Sequence, residues 1–422
     1  MKITVLGLWH LGCVTAACAA TRFQVTGLDA DPDIVAALSD GKAPLFEPGL
    51  DALISEGIDR GALSFTTDPR TACADADVLW LCSDTPVDEN DVSDVGSVLC
   101  TLRDALPHLP PGKLVLISSQ LPVGTCALLE AEYPQFQFAC CPENLRLGKA
   151  IEVFTNADRY VLGIRCENPK SLLVELFTPF TEQIVFMRIE SAEMVKHAIN
   201  SFLALSVTFI NEIARVCELT GADAKEVSTG LKTDIRIGSK AYLGPGGPFA
   251  GGTLARDVVT LTNIASSEGE DLSLIPAIKR SNDGHRGWAL QRLRTRLGDL
   301  RGKTVAVLGL TYKPGTDTLR RSSAVELCHT LLSEGCSVQA YDPVIQSSSA
   351  GLEGVLLGSS AAGSLVGADA AAICTEWPEF RELDWKQAVA GMKAPIFIDA
   401  NRFLEKQLAD MDSVELLSVG RL

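Results

Sequence analysis

The chain opens on a short apolar run, Lys2-Ile-Thr-Val-Leu, that stops at Gly7, gives way to a helical stretch through Ala20, and returns to an apolar run, Gln24-Val-Thr-Gly-Leu-Asp29. A strand, a glycine turn, a helix and a second strand closing on an acid is the opening of a dinucleotide-binding βαβ unit. Further apolar runs at 78–82, 114–118 and 136–140, with helical periodicity between them, predict a parallel sheet covered by helices. The pattern changes at Ser191. From there to about Thr220 it predicts one long amphipathic helix, with Met194, Ala198, Phe202 and Leu203 at helical spacing and no Gly or Pro inside it. Such a helix joins domains or lies at a dimer axis. A second sheet begins at Lys303-Thr-Val-Ala-Val-Leu-Gly and continues at Ser337-Val-Gln-Ala-Tyr-Asp342, repeating the layout of the N-terminus, with further strands at 370–374 and 396–399. The expected fold is therefore α/β: two Rossmann-like domains with parallel sheets, at 1–187 and 299–422, joined by a long central helix and a helical middle domain over 188–298.

Composition narrows the classes of function. A chain of 422 residues has room for two or three domains, and 46% hydrophobic with 21% charged residues describes a soluble globular protein. The formal net charge of −16 argues against a nucleic-acid or anionic-membrane surface, so phosphorylated ligands must be held by local Arg, Lys and helix N-termini. No apolar run reaches the roughly 18 residues of a membrane span, and Met1-Lys-Ile-Thr-Val enters a strand directly, which points to the cytoplasm. The thirteen cysteines lack CxxC pairs and nearby histidines, so neither a disulfide framework nor a metal site is expected, and most should be buried, reduced packing residues.

The first turn reads Gly7-Leu-Trp-His-Leu-Gly12, with Gly7, Trp9, Leu11 and Gly12 as candidate cofactor contacts. In the usual fingerprint the second glycine lets pyrophosphate approach the backbone, and here that position is Trp9, whose bulk should crowd or shift it. Asp29 is placed to accept from a ribose 2′-hydroxyl, which favours NAD over NADP. The remaining chemistry lies in short segments: Asp31-Pro to Leu38, Gly41-Lys-Ala-Pro-Leu-Phe-Glu-Pro-Gly-Leu50, Asp84-Thr-Pro86, Ser118-Ser-Gln-Leu-Pro-Val-Gly-Thr125, Cys141-Pro-Glu-Asn-Leu-Arg-Leu-Gly148, and above all Gly244-Pro-Gly-Gly-Pro-Phe-Ala-Gly-Gly-Thr-Leu-Ala-Arg-Asp257. On the long helix Lys196 and Asn200 are four residues apart and share a face.

In this order these segments resemble the UDP-glucose/GDP-mannose dehydrogenase family, the nucleotide-sugar 6-dehydrogenases, from Met1 to about Phe403. The resemblance implies an NAD-dependent enzyme acting on a nucleotide sugar and assembled at least as a homodimer. It assigns Thr85, Pro86 and Gln120 to the cofactor region, Glu143 to acid/base chemistry, and Lys196 with Asn200 to the alcohol being oxidised. Leu145, Phe249, Gly251, Lys313 and Arg320 are assigned to the substrate, joined by Arg236 reaching a neighbouring subunit's substrate. Asp257 works in relatives with a lysine and a water.

Six positions depart from the family pattern: Trp9, Gln120 for a threonine, Leu147 for a glutamate, Thr253 for the nucleophilic cysteine, Arg256 for the lysine and Arg321 for a glutamate. Family enzymes oxidise an alcohol to an aldehyde, trap it on the cysteine and oxidise it again. A threonine hydroxyl is a far weaker nucleophile than a thiolate, so a two-electron oxidation ending at an aldehyde or ketone is expected. Two alternatives stay open: full four-electron oxidation through Thr253 or a displaced thiol such as Cys140 or Cys141, and a non-catalytic nucleotide-sugar binding or regulatory protein.

Overall fold

The computed structural model describes residues 1–86, 88, 93–250, 252–345 and 351–421. They form two compact units, Met1–Ile199 and Asn200–Leu422.

The first unit is built on eight strands: β1 (Lys2–Leu6), β2 (Gln24–Leu28), β3 (Leu63–Thr66), β4 (Val78–Leu81), β5 (Leu114–Ile117), β6 (Gln137–Cys140), β7 (Tyr160–Ile164) and β8 (Ile184–Met187). Their spatial order is β3-β2-β1-β4-β5-β6-β7-β8, and every pairing is parallel except β6 with β7. The order reverses between β1 and β4, and in such sheets ligands bind beyond the carboxyl ends of the strands at that reversal. Gly7 follows β1, Asp84 to Pro86 follow β4, Gln120 follows β5 and Glu143 follows β6, so sheet topology gathers these candidates on one edge. Below that edge the strands are buried on both faces, and Trp80 packs edge-on to Phe177 with ring centroids 5.4 Å apart while its Nε1 donates to Ser118 Oγ at 2.8 Å.

The second unit carries β9 (Thr304–Leu308), β10 (Ser337–Tyr341), β11 (Val355–Leu357), β12 (Ala370–Ile373), β13 (Ile396–Asp399) and β14 (Glu415–Leu417), all parallel in the order β11-β10-β9-β12-β13-β14. Five strands escape the sequence pattern: β3, β7, β8, β11 and β14. Four of these are sheet edges that pair on one side only, so short runs of apolar residues suffice and the signal is weak. The fifth, β7, runs antiparallel to β6 and extends the sheet outward to β8.

The long helix runs Ile189–Thr220, 32 residues. Its buried face is mixed: Ile189, Ala192, Ala204, Ile210 and Ala214 are buried there together with Glu193, Lys196, His197, Asn200, Asn211 and Glu218. Of the apolar face read from the sequence, Met194, Ala198 and Phe202 lie on the surface, continued by Phe209, Val216 and Leu219, while Leu203 is half-buried.

All thirteen cysteines are free, and ten are buried. Burial pushes the Cys18 and Cys328 thiols up to about 12 and Cys73 up to about 11, as expected for small apolar packing groups. Among the described residues no helix is long and apolar enough to cross a membrane.

Candidate active site

In the first unit the β1–helix turn is compelled by close packing. Gly7 has φ 88°, and a Cβ there would run into Ser83; a Cβ on Gly12 would strike the Gly7 carbonyl. Only glycine serves at either position. Trp9 sits just before the helix His10–Ala20 with φ −84°, a conformation open to any residue, and its side chain is 45% exposed. Asp29 takes the Leu8 N–H on Oδ2 at 2.7 Å and the Asp31 N–H on Oδ1 at 3.0 Å, which fixes its carboxylate at the end of β2. The glycine cradle and the fixed acid fit a dinucleotide. One feature escaped the sequence reading: Asp84 Oδ2 lies 3.5 Å from the Leu11 amide, placing a carboxylate at the helix N-terminus where pyrophosphate is expected. Replacing Asp29 by alanine is expected to raise KM for NAD about tenfold or more, because a charged-acceptor hydrogen bond of about 1.5–3 kcal/mol is lost; steady-state kinetics at saturating sugar would show it.

The cofactor-side loops are cross-tied. Thr85 Oγ1 donates to the Gln120 carbonyl at 2.7 Å, and the Gln120 amide meets His197 Nδ1 at 3.3 Å, while Pro86 is exposed beside them. Lys196, 7% exposed, pairs through Nζ with Glu143 Oε1 at 3.1 Å, and Glu143 Oε2 accepts the Leu145 N–H at 2.8 Å. This pair of a buried ammonium and a half-buried carboxylate joins two candidates 53 positions apart in sequence. Two positioning carboxylates were missed. Glu193 accepts the Gly124 and Cys126 amides at 2.6 and 2.9 Å and so fixes the start of the long helix. Glu47 accepts the Gly148 and Ala150 amides at 2.7 and 2.9 Å and meets His10 Nε2 at 3.1 Å, tying the loop after Glu143 to the first helix. Glu47 lies inside a segment that the motif reading had singled out.

In the second unit the 244–257 loop is pinned from four sides. Asn211 accepts the Gly246 N–H at 3.0 Å and donates to the Gly247 carbonyl at 3.2 Å; Asn401 accepts the Gly247 N–H at 2.7 Å. Asn282 grips Phe249 by both its N–H, 3.0 Å, and its carbonyl, 2.8 Å. His285 Nε2 donates to the Gly246 carbonyl at 2.8 Å, and burial holds its pKa below the ordinary value, keeping the ring neutral. Phe249 packs with Ala204, Ala255, Val258 and Ile278. Gly251 lies outside the described residues. Thr253 is exposed as the first residue of the helix Thr253–Ser267, and on that helix the fully buried Asp257 accepts a hydrogen bond from Asn200. Lys313 is half-buried and Arg320 exposed after β9, and Arg236 is exposed and clipped to Asp234 at 2.6 Å. Asp342, the counterpart of Asp29, is 2% exposed and accepts the Leu310 N–H at 2.7 Å, the Thr311 N–H at 3.0 Å and Trp377 Nε1 at 3.1 Å.

Three family models match this chain: the NAD binding domain of the UDP-glucose/GDP-mannose dehydrogenase family over residues 1–181, the central domain over 190–284 and the UDP binding domain over 306–406. The chain belongs to the UDP-glucose/GDP-mannose dehydrogenase family. It is 34% identical over 437 residues to a UDP-glucose 6-dehydrogenase of Rhizobium meliloti, covering 100% of both chains, and 32% identical over 430 residues to UDP-glucose 6-dehydrogenase TuaD of Bacillus subtilis, covering 100% of this chain and 93% of the relative. Its fold is similar to that of a UDP-glucose dehydrogenase from Pyrobaculum islandicum, TM-score 0.90 at 30% identity over 100% of this chain and 98% of the other. A UDP-D-ManNAc dehydrogenase from Pyrococcus horikoshii gives 0.85 at 26% identity over 100% and 99%. As a member of this family the protein is an NAD-dependent nucleotide-sugar dehydrogenase acting on a CH–OH donor.

Proposed function

We propose that the enzyme removes two electrons from one alcohol of a UDP- or GDP-linked sugar and stops at an aldehyde or ketone. Bound NAD supplies the hydride acceptor. Lys196 stabilises the negative charge that develops on the alcohol oxygen, and its low exposure strengthens that interaction relative to water. Glu143, 3.1 Å from Lys196, receives the alcohol proton, directly or through water. Within the second unit Asn200 donates to Asp257. The observation that carries the two-electron limit is Thr253, an exposed hydroxyl at the head of its helix with no histidine or carboxylate hydrogen-bonded to it among the described residues. Cys141 is no substitute, because burial pushes its thiol far above the range in which a thiolate forms.

The exposed apolar stripe Phe202, Phe209 and Val216, repeating every two turns of the long helix, supports a homodimer or higher assembly through this face. Trp9 and Asp84 favour one competing reading, a protein that takes up nucleotide sugar without turnover. Incubation with NAD, a panel of UDP- and GDP-sugars and O-methylhydroxylamine decides between them. A trapped oxime of a product two hydrogens lighter than its substrate is the expected result; sugar binding without any product would establish the binder.

A further inference from the structure

Within the second unit a cavity of about 270 Å³ lies at the carboxyl ends of β12 and β13, beside the helix Ser323–Ser333 and against the corner where the helix Leu274–Arg286 meets the helix Trp288–Leu297. Trp288, Leu327, Ile373, Ile398 and Val419 give it apolar walls. None of the residues assigned above to cofactor, catalysis or substrate lines it. Two lining residues carry unmet polar atoms. His285 is 3% exposed and its Nε2 donates to the Gly246 carbonyl, so in the neutral ring Nδ1 holds a bare lone pair, and that atom has no hydrogen-bond partner among the described residues. On the next residue, Arg286, Nη1 is taken by Glu326 at 3.0 Å, whereas the buried Nε–H has no partner among the described residues. A buried acceptor and a buried donor are costly to leave unmet, and native structures seldom do so without a reason. A single water occupies about 30 Å³ and would fill a small part of this space. Charge is already balanced, because Arg286 and Glu326 neutralise each other, so the cavity asks for an uncharged ligand with one donor and one acceptor. A cavity of about 150 Å³ takes up one benzene ring, and this one is large enough for two fused rings.

We propose that the cavity is an effector site for an uncharged heteroaromatic lactam, a flat ring system whose edge carries an N–H beside a C=O. The N–H donates to His285 Nδ1 and the carbonyl accepts from Arg286 Nε. Occupancy is felt at the 244–257 loop. Gly247 and Pro248 line the cavity, and so do His285 and Asn401, which pin Gly246 and Gly247. A donor on Nδ1 polarises the imidazole and strengthens its Nε2–H bond to Gly246. The ligand therefore holds the loop in its present geometry. A nucleotide sugar that needs the same geometry then raises the affinity for the ligand by the factor by which the ligand raises its own. This coupling rests on the family's use of the loop and is independent of how many electrons are removed.

Calorimetric titration of the full chain with 2-quinolinone tests the site, with N-methyl-2-quinolinone as the probe that lacks the donor. The N–H form should bind about tenfold more tightly than the N-methyl form, the scale of one buried hydrogen bond. Its affinity should rise further in the presence of whichever of UDP-glucose and GDP-mannose the chain binds in the same titration. Ser323→Phe, at an exposed residue lining the cavity, should abolish binding. Arg286→Met should weaken both probes alike, because both present the carbonyl. Absence of binding at millimolar probe overturns the proposal, as does equal affinity for the two probes. Binding unchanged in Ser323→Phe places the probe elsewhere and does the same. Displacement of the probe by the nucleotide sugar would make the cavity a part of the substrate site, and an affinity indifferent to the bound sugar would deny the effector role; either sinks the proposal. None of these readouts needs turnover, so failure of the two-electron reading leaves them untouched.

Discussion

Replacing Lys196 by methionine should lower kcat for NADH formation by about 10²–10³-fold, the range found when one preorganised donor to a developing oxyanion is removed. The stem of the side chain is kept, so packing on the buried face of the long helix changes little. What is lost is a cation 7% exposed and paired with Glu143 at 3.1 Å. KM for NAD should stay near its original value, because no cofactor-side residue discussed above hydrogen-bonds Lys196. The converse change, Glu143→Gln, should leave the oxyanion partner but remove the proton acceptor, and its defect should shrink as pH rises and the alcohol ionises more readily. A lysine that only packed would give normal kcat in the methionine variant.

The largest stability effect is expected at Glu218. Its side chain, 3% exposed near the end of the long helix, accepts Trp288 Nε1 and the Gly420 N–H, each at 2.9 Å, and pairs with Arg292. One carboxylate thereby holds the long helix, the helix Trp288–Leu297 and the C-terminal segment together within the second unit. Glu218→Leu leaves the Trp288 and Gly420 donors unmet and Arg292 without its partner. Breaking a buried pair of this kind costs about 3–5 kcal/mol, and for a unit of this size each kcal/mol moves the transition by about 2–4 °C. Calorimetry should show the second unit melting on the order of 10 °C earlier while the first unit keeps its transition. An unchanged thermogram would contradict the assignment.

The parts of this molecule that were legible in the sequence are those written in short-range pattern. Gly7, Gly12 and Asp29 could be found because turn, helix and acid follow one another within a single βαβ unit, and the buried strands announced themselves as apolar runs. Edge strands such as β3 and β14 could not, being too short and too exposed for periodicity to register. The long helix was legible as a helix, but its apolar stripe gave no sign that it would face outward while Lys196, His197 and Asn200 were buried. Glu47, Glu193 and Asn282 act on backbone amides tens of residues or more away, and nothing local distinguishes such a carboxylate or amide from a solvated one. At Asp342 the layout that ends on Asp29 recurs, and the carboxylate there takes the Leu310 and Thr311 amides and Trp377 Nε1. Lys196 and Glu143 were paired with the same chemistry only through the family resemblance, and the structure adds the 3.1 Å contact.

The central claim is that oxidation stops after one hydride, and the number of NADH molecules formed per nucleotide sugar consumed tests it directly, with absorbance for the one and mass spectrometry for the other. This account predicts a ratio of one, with a carbonyl product. A ratio of two, with the carbonyl carried on to an acid, would contradict it and would place the missing nucleophile on Thr253, Cys140 or Cys141.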